Sequence, residues 1–148
     1  KAIEHYKKVG KEKAMADFCR KTGQAMPKDR GGVIRMVYES LAMKYRAINE
    51  AISGVCGRES RVVHVVGGGS RNYMLNQFTA NALGLPVVAG PVEATAVGNL
   101  MVQAVGLGVI GSLADAQPLI RKAFPIREFK PEDTARWDEA YSRFKGML

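Results

Sequence analysis

Cysteine is scarce in this chain of 148 residues: only Cys19 and Cys56 occur. Two thiols so far apart, each in a helix-like context, make neither a disulfide framework nor a spaced set of metal ligands. A reducing cytoplasm is the compartment that suits them. Long apolar runs are also missing. None reaches the roughly 20 residues that a bilayer-spanning helix needs, so no membrane partner is expected. The opening Lys1-Ala2-Ile3-Glu4-His5 has no apolar stretch behind its charge, and no secretory signal is read there. It also lacks Met, which reads as a fragment or an excised domain. Aromatic residues make up 7% of the chain, with one Trp. Low-complexity tracts, internal repeats and linkers are absent, so residues 1–148 read as a single domain.

What is present is ordinary for a globular protein: 47% hydrophobic and 24% charged residues. A chain of this length can bury roughly 70% of the surface it exposes when unfolded. The net charge is +8. The first 30 residues carry nine Lys and Arg against four Asp and Glu, so most of the excess sits there. These cations alternate with acids and lack interleaved aromatics, which describes a solvated helix face rather than a nucleic-acid surface. The competing reading, a basic anion-binding module, requires salt-sensitive binding to any polyanion.

Helical spacing runs through Ile3, Tyr6, Val9, Ala14, Met15, Phe18 and Cys19, with Gly10 as a break. His5 reads as exposed on this segment. Gly23 and Pro27 make a loop that Gly31 and Gly32 continue. From Val33 to Ile52, Ile34, Val37, Leu41, Tyr45, Ile48 and Ile52 share one face, which predicts a central, buried helix ended by Gly54 and Gly57. Residues 62–66 are rich in Val and apolar on both faces, which predicts a buried parallel strand holding His64 as a packed core residue. A helix over residues 72–83 ends at Gly84, and a second strand spans residues 86–89. Strand, glycine turn, helix and strand make a βαβ unit. Residues 93–105 read as a helix buried nearly all round. Ser112 and Asp115 form a variant capping box. Residues 124–129 are extended, and a last helix carries Trp137, Ala140, Tyr141 and Phe144 on one core face. Two strands leave a bare sheet edge, which predicts homodimerisation or a helix packed over it.

The chemistry concentrates at Val65-Val66-Gly67-Gly68-Gly69-Ser70-Arg71-Asn72. Glycines without Cβ atoms let a ligand lie against the backbone. The end of a parallel strand, leading into a helix N-terminus, is where open α/β sheets bind ligands. A tight turn alone does not require three glycines. Neither the dinucleotide fingerprint nor the Walker A loop fits, since Asn72 stands at the sixth position and no Gly-Lys-Ser/Thr follows. Asp17, Asp29, Asp115, Asp133 and Asp138 sit in helical or capping contexts and suggest no general base. Glu93 and Thr95 read first as a helix N-terminus.

The string from Val66 to Asn72, then Leu75-Asn76-Gln77, Ala80-Asn81-Ala82-Leu83-Gly84 and Gly90-Pro91-Val92-Glu93-Ala94-Thr95-Ala96-Val97-Gly98-Asn99, resembles the C-terminal domain of the FGGY carbohydrate kinases. The last string most resembles the rhamnulokinase branch. Thr22-Gly23-Gln24 with Pro27, and Leu41-Ala42 with Lys44-Tyr45-Arg46, fit that branch too. The resemblance covers residues 15–145 and implies the helix-rich α/β part of an actin-like (ribonuclease H-like) ATPase domain, with a small parallel βαβ sheet. It implies ATP with Mg²⁺ as cofactors, and Gly67, Gly68, Gly69 and Asn72 as the adenosine contact, with Asn72 against the adenine. It places Glu93 and Thr95 near the cleft. It implies that the sugar pocket, the first phosphate loop and the catalytic Asp belong to an N-terminal domain with no counterpart here. L-rhamnulose is the ketose it points to. Fuculokinase, xylulokinase and a non-catalytic interaction module remain alternatives.

Overall fold

The computed structural model describes residues 10–147, which fall into two compact units, one up to Val37 and one from Tyr38 on. Ile3, Tyr6, Val9 and His5 lie outside the described residues.

In the first unit, Gly10 takes φ +83° immediately before helix α1 (Lys11–Lys21), a backbone that glycine adopts at little cost. Thr22 closes the helix by donating its hydroxyl to the Phe18 carbonyl at 2.8 Å. Helix α2 (Arg30–Cys56) then starts earlier than its sequence suggests: Gly31 and Gly32 are helical, not loop. The cause is Asp29, whose Oδ1 accepts the Gly32 N–H at 2.8 Å and caps the first turn. A Cβ on Gly32 would stand 2.9 Å from Pro27 Cβ, so a bare α-carbon is what lets this turn close on the proline. At its far end α2 runs through Gly54 to Cys56, and Gly57, at φ +62°, follows it.

The second unit continues from Tyr38 in α2 and adds strand β1 (Val63–Val65), a 3₁₀ turn (Gly67–Arg71), helix α3 (Tyr73–Leu83) and strand β2 (Val87–Ala89). Helices α4 (Ala94–Gly106) and α5 (Leu113–Ala123), strand β3 (Arg127–Phe129) and helix α6 (Thr134–Lys145) complete it. Strand β1 pairs in parallel with β2, Val63 opposite Val87 and Val65 opposite Ala89. The fold is helix-rich α/β, as expected. The sheet, however, is mixed rather than purely parallel, because β3 joins the far side of β2 antiparallel, with Phe129 opposite Val87. Pro125 and the polar pair Arg127-Glu128 mask this strand in the sequence.

Helix α3 is the hinge of the packing. On one side Ala82 meets Ala42 and Met43 of α2 and Trp137 and Tyr141 of α6. On the other, Ala80 meets Val87, Ala89 and Phe129 of the sheet. Both alanines are fully buried, and their small side chains permit close approach on either side. Phe78 packs on Trp137 with ring centroids 5.3 Å apart. A polar clamp secures α2 to α6. Tyr141 donates its hydroxyl to Glu50 Oε2 at 2.9 Å, and Lys145 reaches the same oxygen. Arg46 pairs with Glu50 and Asp138, and its guanidinium lies over the Tyr141 ring.

Three burial expectations are corrected. The apolar face of α2 from Ile34 to Ile52 is exposed, Ile52 by 54%; Ala42 and Met43 are this helix's buried residues. His64 is exposed, because the pleat sends Val63 and Val65 inward and their neighbours to the opposite face. Helix α4 buries only Val97, leaving Leu100 and Val102 more than half exposed. Among the described residues, no helix is long and apolar enough to cross a membrane.

Candidate functional site

The parallel strands β1 and β2 end side by side, and the segments that leave them are tied together. Gly90 donates its N–H to the Val65 carbonyl at 2.9 Å, and Gly67 donates its own to the Pro91 carbonyl at 3.1 Å. The glycine turn therefore sits against the start of the loop that leads through Glu93 into α4. The Gly90–Pro91 peptide is cis.

Between β1 and α3 the chain forms one short 3₁₀ turn rather than passing straight into the helix. Its three glycines have different reasons for being there. Gly67 takes φ +74°, where a side chain is strained. Gly68 has an ordinary backbone, and a Cβ built on it meets nothing within 4 Å. At Gly69 a Cβ would meet only Val65 Cγ1, at 3.6 Å, an ordinary contact. The fold thus requires glycine at the first position and leaves open space at the second.

The back of the turn is held by side chains. Ser70, buried, donates its hydroxyl to the Gly67 carbonyl at 2.7 Å. Asn76, 2% exposed, donates from Nδ2 to the Ser70 carbonyl at 3.1 Å and to the Gly69 carbonyl at 3.4 Å. Asn72 is the N-cap of α3: its Oδ1 accepts the Leu75 N–H at 3.1 Å. The cap engages the amide's acceptor half and leaves its NH₂ group to donate. Glu93 occupies the N-cap position of α4 without a side-chain capping bond, and both Glu93 and Thr95 are exposed.

Four of the five aspartates named from sequence have local structural partners, and the fifth, Asp133, stands before α6 without a side-chain capping bond. Asp17 pairs with Arg20, Asp29 and Asp115 serve helix starts, Asp133 precedes α6 and Asp138 pairs with Arg46. Cys19 is buried and Cys56 exposed, and both are free thiols. Among the described residues, no group of three or more His, Cys, Asp or Glu could hold a metal ion. Sequence reasoning missed Ser70 and Asn76 as supports. The available signal was a polar residue, Asn76, one helical turn beyond the Asn72 cap on an otherwise inward-facing stripe.

Residues 8–107 match the model of the FGGY family of carbohydrate kinases, C-terminal domain. The chain belongs to the FGGY family. The rhamnulokinase of Bacteroides thetaiotaomicron is 48% identical over 137 residues, covering 93% of this FGGY chain and 28% of the relative. The rhamnulokinase of Mannheimia succiniciproducens is 39% identical over 117 residues, 79% of this chain and 24% of that one. That of Bacillus subtilis is 36% identical over 124 residues, 84% of this chain and 26% of that one. The chain therefore spans about a quarter of the length of these relatives. The crystal structure of xylulose kinase from Rhodospirillum rubrum superposes with a TM-score of 0.63 at 23% identity, over 84% of this chain and 25% of that one. That likeness shows a fold shared over this quarter of the neighbour's chain.

Proposed function

We propose that this chain is the adenosine-binding portion of an ATP-dependent sugar kinase, and that the sugar is L-rhamnulose, phosphorylated at its 1-hydroxyl. The observation that carries the nucleotide reading is Gly68. The fold gives it room for a side chain and a backbone any residue could adopt, yet it is glycine. A ligand packed against the bare backbone accounts for that. Gly67 and Gly69 continue the same surface, and Asn72 stands at its end with an NH₂ group to donate to a purine ring nitrogen. The choice of sugar rests on the three rhamnulokinases, the most similar of which is 48% identical.

ATP would supply the γ-phosphoryl group, and Mg²⁺ would travel on its phosphates. This chain's part is binding and orientation: the turn seats the nucleoside, and Glu93 and Thr95 border the seat. Phosphoryl transfer also needs a base for the hydroxyl and a cradle for the phosphates. We assign neither to residues 1–148, and so expect no ketose-dependent ADP release from this chain alone. Its two free thiols favour a cytoplasmic setting. The outer edge of β1, which has no strand beside it among the described residues, favours association into homodimers.

Titration of the chain with ADP tests the seat. Gly68→Val should fill the open space, weaken ADP at least about tenfold (roughly 1.4 kcal/mol) and leave thermal stability nearly unchanged. Equal affinity of the two forms would refute the assignment.

A further inference from the structure

We propose that Asn76 is a positioning residue for the nucleotide, acting through the backbone of Gly69 and Ser70; this rests on the turn being the nucleotide seat. A primary amide is a costly group to bury, and it stays in a core only when its hydrogen bonds are made. Asn76 is on the inward face of α3, where Ala80 packs four residues later and an apolar side chain would serve helix packing equally well. Its NH₂ group is spent on the Ser70 and Gly69 carbonyls, the last two glycine-turn carbonyls before the Arg71–Asn72 exit.

Three other bonds act on the same few atoms. Ser70 Oγ donates to the Gly67 carbonyl, the Asn72 N–H to the Gly69 carbonyl at 3.0 Å, and the Asn76 N–H to the Asn72 carbonyl at 3.0 Å. At the front of the turn, a Cβ built on Gly68 meets nothing within 4 Å. The turn is thus tied at its start to the neighbouring loop, through the Gly67 N–H and the Pro91 carbonyl, and its last carbonyls are held from behind by the Asn76 amide on α3. Glycine-rich backbone has the largest conformational freedom to lose. Without the Asn76 donor, the surface offered to a nucleotide would be an ensemble of turn shapes, and binding would have to select one of them.

The test separates hydrogen-bond donation from packing. ADP carrying a fluorescent N-methylanthraniloyl group is titrated into the whole chain and into Asn76→Asp and Asn76→Ser, with thermal melts of each in parallel. Asp keeps the volume and loses the donor; Ser loses volume and keeps one donor. Positioning by donation predicts the order Asn, Ser, Asp, with Asp at least about tenfold weaker than the native chain. A packing role predicts Asp tighter than Ser. Native affinity in Asn76→Asp, or Asp tighter than Ser, overturns the proposal. If Asn76→Asp does not fold, Asn76→Ser is compared with Asn76→Ala: tighter binding by Ser supports donation, and equal binding overturns it. Absence of binding by the native chain removes the nucleotide reading and this proposal with it, whereas native binding with unaffected variants removes this proposal alone.

Discussion

Asn72 accepts the backbone N–H of Leu75 at 3.1 Å, so the residue at the mouth of the glycine turn is also the cap that starts α3. One side chain serves the fold with its oxygen and has its nitrogen left to offer a ligand. The two duties separate by substitution. Asn72→Asp keeps a capping oxygen, and a negative charge suits the helix N-terminus. It should hold or raise the melting temperature while weakening ADP, because the donor is gone. Asn72→Ala should lose about 1 kcal/mol of stability and the ADP contact together. Thermal melts and ADP titrations on the same samples check both halves.

Gly90 should tolerate substitution far worse than Gly68. Its φ is +120°, and a Cβ there would lie 2.8 Å from the Pro125 carbonyl oxygen, a backbone atom that cannot swing aside. Strain and overlap together predict about 3 kcal/mol of destabilisation for Gly90→Ala. Gly68→Ala should stay within about 0.5 kcal/mol of the native chain. Chemical denaturation of the pair measures the difference.

The clamp between α2 and α6 predicts two pH limbs. Burial pushes the Glu50 carboxyl up, but hydrogen bonds from Lys145, Tyr141 and Arg46 outweigh it, and the group sits below its ordinary 4.5. Its contribution is therefore present above that value and lost as pH falls through the lowered one. Burial, then the bond to Glu50, pushes Tyr141 above its ordinary 10.0. That contribution is complete below 10.0 and lost as pH rises through the raised value. Melting temperature against pH should fall on both limbs. Glu50→Gln should flatten the acid limb, and Tyr141→Phe the alkaline one at a cost near about 1 kcal/mol at neutral pH.

The exposed face of α2 predicts silence. Ile48→Gln and Ile52→Gln should change the chain's own stability by less than about 0.5 kcal/mol each, since neither side chain is buried. A melt that drops by several degrees would show that this face is covered in solution.

That face also shows what the sequence could and could not convey. The spacing of Leu41, Tyr45, Ile48 and Ile52 marks an apolar stripe, and the stripe is real. Periodicity says which residues point the same way; it says nothing of what stands opposite them. The burial that does exist in α2, at Ala42 and Met43, lies off the stripe because α3 and α6 approach from that side. The exposure of His64 has the same origin, since flanking valines signal a strand but not how many layers cover it. Local chemistry read better. Gly84, Ser112 with Asp115, and Trp137 with Tyr141 act through short-range geometry, and each appears where its residue type indicates. The glycine turn was legible as a location. Its rear supports were not, because Ser70 and Asn76 gain their meaning only when the turn folds back over α3.

The paired bonds from Gly90 to Val65 and from Gly67 to Pro91 have a consequence for how this region can vary. Each loop end is measured against the other, so neither can gain or lose a residue alone without breaking the ruler. Gly67 and Gly90 are fixed by their positive φ, and the lengths of the paired ends are locked together as well. An insertion between Val65 and Gly67 would have to be answered by one between Ala89 and Pro91, or the two bonds that extend the β1–β2 register could not both form.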